Sequence, residues 1–292
     1  MENSHNPLED YAAALTLYTK RALTNQGDAL RALAGVMRRF SDKLGYPMLQ
    51  GLPAGALDSF ILFTGQRLRR RSGFPSYSWA GWRGEMQIPH YTAITGTHPL
   101  PKSWIDWHKL EPGSGSRVRL TQTRESEAEC RWSSFANLIR WNRSGAPAAE
   151  IRTGSESRPT RDLRPYPTLH FHTVIIRLRI RVHDLFQGHG HLLDMDGKPC
   201  GGILLDDLDA PGALENYSQE PQELVVLSIA DSPLPRVPGF GPDLHATDSR
   251  QLFNVMLVIR DGPVMERRGI GTIQDWPMKH SHSVRWDEVT LG

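Results

Sequence analysis

The sequence predicts an α+β fold, with N-terminal helices followed by a mainly antiparallel β-sheet region with long loops. Three observations carry that expectation. Apolar residues recur at helical spacing between residues 6 and 66, whereas after residue 168 they alternate with the two-residue repeat of a strand. The Asp261-Gly262-Pro263 turn separates two such runs and makes them an antiparallel pair. The third is a dense aromatic tract, from Phe74 to Trp82, placed where the helical spacing stops. At 292 residues the chain can bury a sizeable core, and it reads as one composite domain over 1–292, helical at 6–66 and β-rich at 74–292.

The first helix begins at Asn6-Pro7: the Asn side chain can accept from an exposed backbone amide, and Pro gives up no hydrogen bond in the first turn. Leu8, Tyr11, Ala12, Leu15 and Tyr18 share one face, and the pattern ends near Lys20-Arg21. A second helix starts at Asn25, with Asp28 near its positive end, and buries Leu30, Leu33, Ala34, Met37 and Phe40 before Gly45 stops it. A shorter third helix follows Gly51-Leu52-Pro53 and runs through Ala56, Leu57, Phe60, Ile61 and Phe63. Arg67, Arg69, Arg70 and Arg71 come next, a cationic run suited to a solvated helix C-terminus.

Phe74, Tyr77, Trp79 and Trp82 are separated only by Ser, Pro, Ala and Gly, which a disordered linker would not require. Tyr77 and Trp79 can share one face of a short strand, with Ser76, Ser78 and Ala80 on the other, so the tract reads as a buried anchor strand. Beyond it the pattern loosens. A strand is expected over 88–94, a turn or linker at Gly113-Ser114-Gly115-Ser116, and a short strand over 118–120. The period over 130–141 fits strand or helix, and the polar stretch 142–167 reads as a flexible insertion.

Order returns at 169–182, where Leu169, Phe171, Thr173, Ile175, Arg177, Arg179 and Arg181 hold one parity and the second half is wet on that face. A hairpin-like turn at 194–198, strands over 223–229, 253–259 and 264–273, a long loop at 233–249 and a final short strand complete the pattern.

Chemistry-bearing residues are sparse. His189 and His191 with Asp194 and Asp196 are the one concentration of metal-ligand types, since imidazole and carboxylate suit zinc or another first-row ion. Their spacing matches no established site, and Gly190 and Gly197 mark turns, so no metal is assigned. His170 and His172 lie on one parity of a strand with no third ligand nearby in sequence. No Gly-x-Ser-x-Gly occurs, and Gly197-Lys198-Pro199 lacks the glycines and hydroxyl of a phosphate loop. Cys130 and Cys200 show no disulfide framework, Cys200 being the more exposed thiol by its Pro and Gly neighbours. Asp206-Asp207-Asp209 reads as a solvated turn. No catalytic residue and no cofactor is expected.

The 34 basic and 32 acidic residues nearly cancel, which argues against a polyanion partner and leaves no strong nucleic-acid signal. All but six of the basic residues are Arg, and with eight Trp they favour a protein interface. No N-terminal apolar run and no stretch of about 20 apolar residues is present, so a cytoplasmic protein without a membrane segment is expected.

Arg70-Arg71 followed by Phe74, Pro75, Tyr77, Trp79, Gly81 and Trp82 resembles the R-R-x-x-F-P-S-W-S-W-A-G-W hallmark of fungal heterokaryon incompatibility (HET) proteins, with Tyr77 in place of the first Trp. In that family it lies downstream of the HET domain. Tyr18, Arg21, Leu23, Thr24, Asp28 and Leu30 resemble the segment that follows that domain, and Gly51-Leu52-Pro53 resembles the lead-in to the hallmark. Further on, Gly201 to Asp207 resembles a glycine-spaced Leu-Asp-Asp tract. Asn254, Val255, Met256, Leu257, Asp261, Gly262, Arg267, Gly269 and Gly271 are similar to the family's closing hairpin.

The resemblance implies the region downstream of a HET domain, with that domain itself expected to be absent. The HET domain is associated with cell death triggered by non-self recognition after fungal cells fuse, and none of its residues are transferred here. A noncatalytic scaffold or protein-interaction module is the resulting expectation. Its alternatives are an enzyme using the loops from His189 to Asp209, or a truncated remnant that exposes apolar surface along its first two helices.

Overall fold

The computed structural model describes residues 6–65, 68–88, 105–120, 164–182, 188–207, 217, 220–230, 252–274 and 284–292. Asn6 opens α1 (Pro7–Thr19), its Oδ1 accepting the Leu8 amide at 3.1 Å. Leu8, Tyr11, Ala12 and Leu15 are buried on one face. A 3-10 turn over Gln26–Asp28 leads into α2 (Ala29–Leu44), which stops at Gly45 because its φ of 75° takes the chain out of the helix.

The third helix is shorter than the apolar run that predicts it. A 3-10 turn over Ala54–Ala56 precedes α3, a single turn over Leu57–Phe60, and Ile61 and Phe63 are buried outside it. Their carbonyls accept from the Arg267 guanidinium, an alternative to continuing the helix.

Nine strands build the main sheet: β1 (His108–Leu110), β2 (Arg117–Arg119), β3 (Thr168–Val182), β4 (His189–Leu193), β5 (Pro199–Leu205), β6 (Gln222–Ala230), β7 (Leu252–Asp261), β8 (Val264–Gln274) and β9 (Arg285–Leu291). Antiparallel pairings run from β3 to β4, β5, β8, β7 and β6, and from β6 back to β3. The sheet therefore closes on itself, removing the open edges that those strands would otherwise present. Strand β9 lies against the first half of β3 and meets β8 in parallel at Leu291, while β1 and then β2 extend from the opposite edge of β3.

Closure sorts the two parities into two cores. Val174, Ile176, Leu178 and Ile180 pack with Leu192, Ile203, Leu224, Val226, Val255 and Leu257, the inward residues of the ring. The alternate positions Leu169, Phe171 and Ile175 join Val225, Leu227, Met256, Val258 and the helices in the second core. Arg177, Arg179 and Arg181 continue that second series beyond the helical cover and are exposed. Tight contact between β5 and β8 needs glycine: a Cβ on Gly201 would press on the Thr272 carbonyl, and one on Gly271 on the Gly202 carbonyl.

Other expectations resolve locally. The Gly113–Ser116 stretch lies in the β1–β2 hairpin turn. The turn at 194–198 joins β4 to β5, with Asp194 Oδ1 accepting the Lys198 amide at 2.6 Å. Along α2 only Leu33 and Phe40 of the expected stripe are fully buried, Leu30 and Met37 pack partly against the core, and Ala34 is exposed; Leu17 and Val36 are the exposed large apolar side chains of α1 and α2. No helix among the described residues is long and apolar enough to cross a membrane.

The expected strand at 89–94, the segment 130–141, the loop 233–249 and residues 142–163 of the insertion lie outside the described residues. The insertion's last residues, 164–167, are packed rather than loose: Arg164 pairs with Asp261 at 2.7 Å and Glu266 at 3.1 Å, and Tyr166 is buried.

Candidate functional site

The tract 69–85 is a joint between the helices and the closed sheet, buried without a break from Phe74 to Trp82. It is not the expected strand with one face for each parity. Arg69–Arg70 pairs with Trp82–Arg83, and between them the chain turns through a 3-10 helix over Trp79–Gly81. Tyr77, Trp79 and Trp82 are buried, and so are Ser76, Ser78 and Ala80. Both parities are covered because helix α1 reaches the tract from one side, Tyr18 meeting Trp79 edge-on at 5.6 Å, and the sheet reaches it from the other.

The buried polar tips from Ser76 to Trp82 have main-chain partners. Trp79 Nε1 donates to the Gly51 carbonyl at 2.9 Å, which also accepts from Tyr11 at 2.7 Å. Gly51 sits at φ 83°, and a Cβ there would strike the Trp79 indole, so the position calls for glycine twice over. Trp82 Nε1 donates to Ser76 O, Tyr77 Oη to Pro167 O (both at 2.7 Å), and Ser78 Oγ to Gln50 O at 2.5 Å. Ser76 Oγ donates to the Gly292 carbonyl and accepts the Arg267 amide at 2.9 Å, tying the last residue and β8 to the tract. Burial pushes the Tyr77 hydroxyl well above its ordinary pKa.

Arg70 and Arg71 of the arginine run face inward, contrary to a solvated helix end. Arg69 is exposed, and Arg67 lies outside the described residues. Arg70 donates to the carbonyls of Arg71, Gly81 and Phe74 at 2.6, 3.0 and 2.8 Å, and its own amide reaches Asp207 at 3.3 Å. Arg71 donates to Ala80 O at 2.7 Å and Gln26 Oε1 at 3.1 Å. Burial lowers the pKa of both guanidiniums, with Glu266 opposing the shift at Arg70 and Tyr18 opposing it at Arg71. Five donors in a planar fork let one Arg hold several carbonyls, so the turn's backbone is satisfied without a neighbouring strand.

Beneath the joint, Arg267 is fully buried. Its Nε and Nη2 bind the two Asp206 oxygens at 2.8 and 3.0 Å, Nη1 and Nη2 donate to Ile61 O at 2.8 Å and Phe63 O at 2.5 Å, and the guanidinium carbon lies 3.6 Å from the Phe63 ring centre. Asp206 is therefore no part of a solvated acidic turn, and Asp209 lies outside the described residues. Local sequence reasoning missed this pair because its members are 61 residues apart; the sole sequence signal was the family-like position of Arg267.

The candidate ligands do not assemble into a centre. His189 and His191 sit on β4, Asp194 is buried as the cap of the 194–198 turn, and Asp196 is exposed at its tip. Among the described residues no group of three His, Cys, Asp or Glu is placed to hold a metal ion. Cys200, expected to be the more exposed thiol, is buried inside the ring with Sγ donating to Leu192 O at 3.3 Å, and burial raises its pKa strongly.

A second polar surface was invisible as a group. His108 on β1, His170 and His172 on β3, and Trp286 on β9 share one sheet face, as the registers His108↔His170 and His172↔Glu288 require. His170 lies 3.2 Å from Thr290 Oγ1, while exposed His172 stacks on Trp286 with ring centres 6.5 Å apart. Burial and nearby Arg117 lower the pKa of His108.

Comparisons of the chain with protein-family models, characterised proteins and solved structures find no match in any of the three.

Proposed function

We infer that this chain is a noncatalytic scaffold and protein-interaction module, related to the region downstream of the HET domain in fungal heterokaryon incompatibility proteins. One observation carries the reading: the hallmark's Arg70, Arg71, Ser76, Ser78, Trp79 and Trp82 direct their donors at main-chain carbonyls. The chemistry of the most distinctive tract thus holds helices, sheet and C-terminal strand in one arrangement. Such a frame can present exposed sheet faces with little reorganisation on binding, which lowers the entropic cost of association. On this reading the partner is a protein, in the cytoplasm.

The test starts from the purified chain. Helical circular dichroism and tryptophan fluorescence should report one coincident unfolding transition, as a shared core requires. A protein partner identified by crosslinking should then form a stoichiometric complex with the purified chain, neither component being chemically altered. A defined turnover that is abolished by replacing His189, His191 or Asp194 would overturn the reading in favour of an enzyme.

A further inference from the structure

The outer face of the closed sheet carries a row of cations that the joint does not use. Arg177, Arg179 and Arg181 project from the same side of β3, past the point where the helical cover ends, and all are exposed. Neither Arg179 nor Arg181 makes an ion pair with a described residue. Beside them Glu223 of β6 lies opposite Arg177 and gathers three guanidiniums, from Arg285 at 2.8 Å, Arg260 at 3.3 Å and Arg177 at 3.7 Å. One carboxylate thus anchors the near end of the row, while at its far end Arg179 and Arg181 meet no carboxylate among the described residues.

We propose that this arginine row is a docking surface for an extended acidic segment of a partner protein, with carboxylates at alternate residues. The proposal rests on the interaction-module reading and names the partner's chemistry. Charge complementarity favours an anion, and the Arg fork matches a carboxylate geometrically. Spacing favours an extended chain: alternate strand residues repeat at about 6.6 Å on both partners, whereas the roughly 5.4 Å pitch of a helix drifts by more than an ångström per step. A nucleic acid strand would also present repeating anions, but single-strand binding relies on aromatic platforms for the bases. Trp286, on the same strand as Arg285, occupies the other parity and stacks on His172 on the opposite face.

The full chain is titrated with a fluorescent alternating Glu-Thr peptide by anisotropy, at low salt and again at higher salt. A parallel titration uses an oligothymidylate of equal charge. Saturable peptide binding that weakens with salt is expected, and R179E/R181E should reduce it by at least about ten-fold. Circular dichroism and Tm should remain those of the parent, since neither side chain is buried. Arg179→Lys with Arg181→Lys should retain part of the affinity, because charge persists without the fork.

Peptide binding that ignores the charge reversal would overturn the proposal, as would oligothymidylate binding as tightly and competing at the row. The crosslinked partner separates this outcome from the broader reading. A partner complex that survives R179E/R181E removes the row alone, whereas turnover by the chain removes the interaction module.

Discussion

Arginine performs opposite work in two regions of this molecule. In the joint, Arg70, Arg71 and Arg267 are turned into the protein and their donors are matched by carbonyls or by Asp206. On the outer face of β3, Arg177, Arg179 and Arg181 stand in solvent, and among the described residues only the first meets an acid, Glu223. Residue type is constant between the regions, so environment decides whether a guanidinium holds a fold together or is available for contact. Burying the charge is tolerable in the joint because many acceptors converge there, and removing one partner leaves the others unpaired.

Disrupting the buried pair should separate the regions most strongly. Arg267→Met leaves Asp206 and two carbonyls without their donor, and a loss of about 3–5 kcal/mol is expected in urea unfolding. The double variant R267M/D206L should recover much of that loss, since no isolated charge then remains. A double variant no more stable than Arg267→Met alone would show that the carbonyl contacts outweigh the ion pair.

A smaller effect is expected from Trp79→Phe, which keeps an aromatic body but removes the donor to Gly51 O. That carbonyl still receives Tyr11 Oη, so the loss should be about 1–2 kcal/mol by the same measurement. An unchanged midpoint would mean that packing alone holds the indole in the joint.

The smallest effect belongs to the exposed region and depends on pH. Burial by itself would raise the Glu223 pKa, but the hydrogen bond from Arg285 and the charges of Arg285, Arg260 and Arg177 outweigh it and lower the carboxyl below its usual 4.5. A lowered folded-state pKa contributes stability above the unfolded value and loses it as pH falls through the folded one. Glu223→Gln should therefore cost about 0.5–1 kcal/mol at pH 7, discounted for the half-exposed arginines. The difference from the parent should shrink as the pH falls below about 4.5 and close once the folded carboxyl is protonated. A constant difference down to acid pH would show that Glu223 acts by packing and not by charge.

Legibility followed the range of the interactions. The Asn6 cap, the Gly45 stop, the long β3 strand with its wet second half, the 194–198 turn and the closing hairpin all depend on neighbours within a few residues, and each is where the pattern places it. The joint departs from the expected strand because alternation of aromatic and small residues fits a strand as well as a turn covered on both sides. Sequence alone leaves Arg70 and Arg71 facing solvent because nothing adjacent announces the carbonyls they satisfy. The face formed by His108, His170, His172 and Trp286 went unseen since three strands remote in sequence supply it.

The sequence by itself determined the class, the first two helices, the long β3 strand, the closing hairpin and the position of the arginine row, through periodicities that each segment carries internally. Tertiary structure alone decided that the sheet closes into a ring, that Arg267 meets Asp206, and that the stretch from Phe74 to Trp82 lies sealed between layers. The physical reason is the same in each case. Ring closure, a buried ion pair and a carbonyl-filled turn all require groups from distant segments to become mutually satisfied on leaving water, and no local pattern encodes which distant partner will arrive.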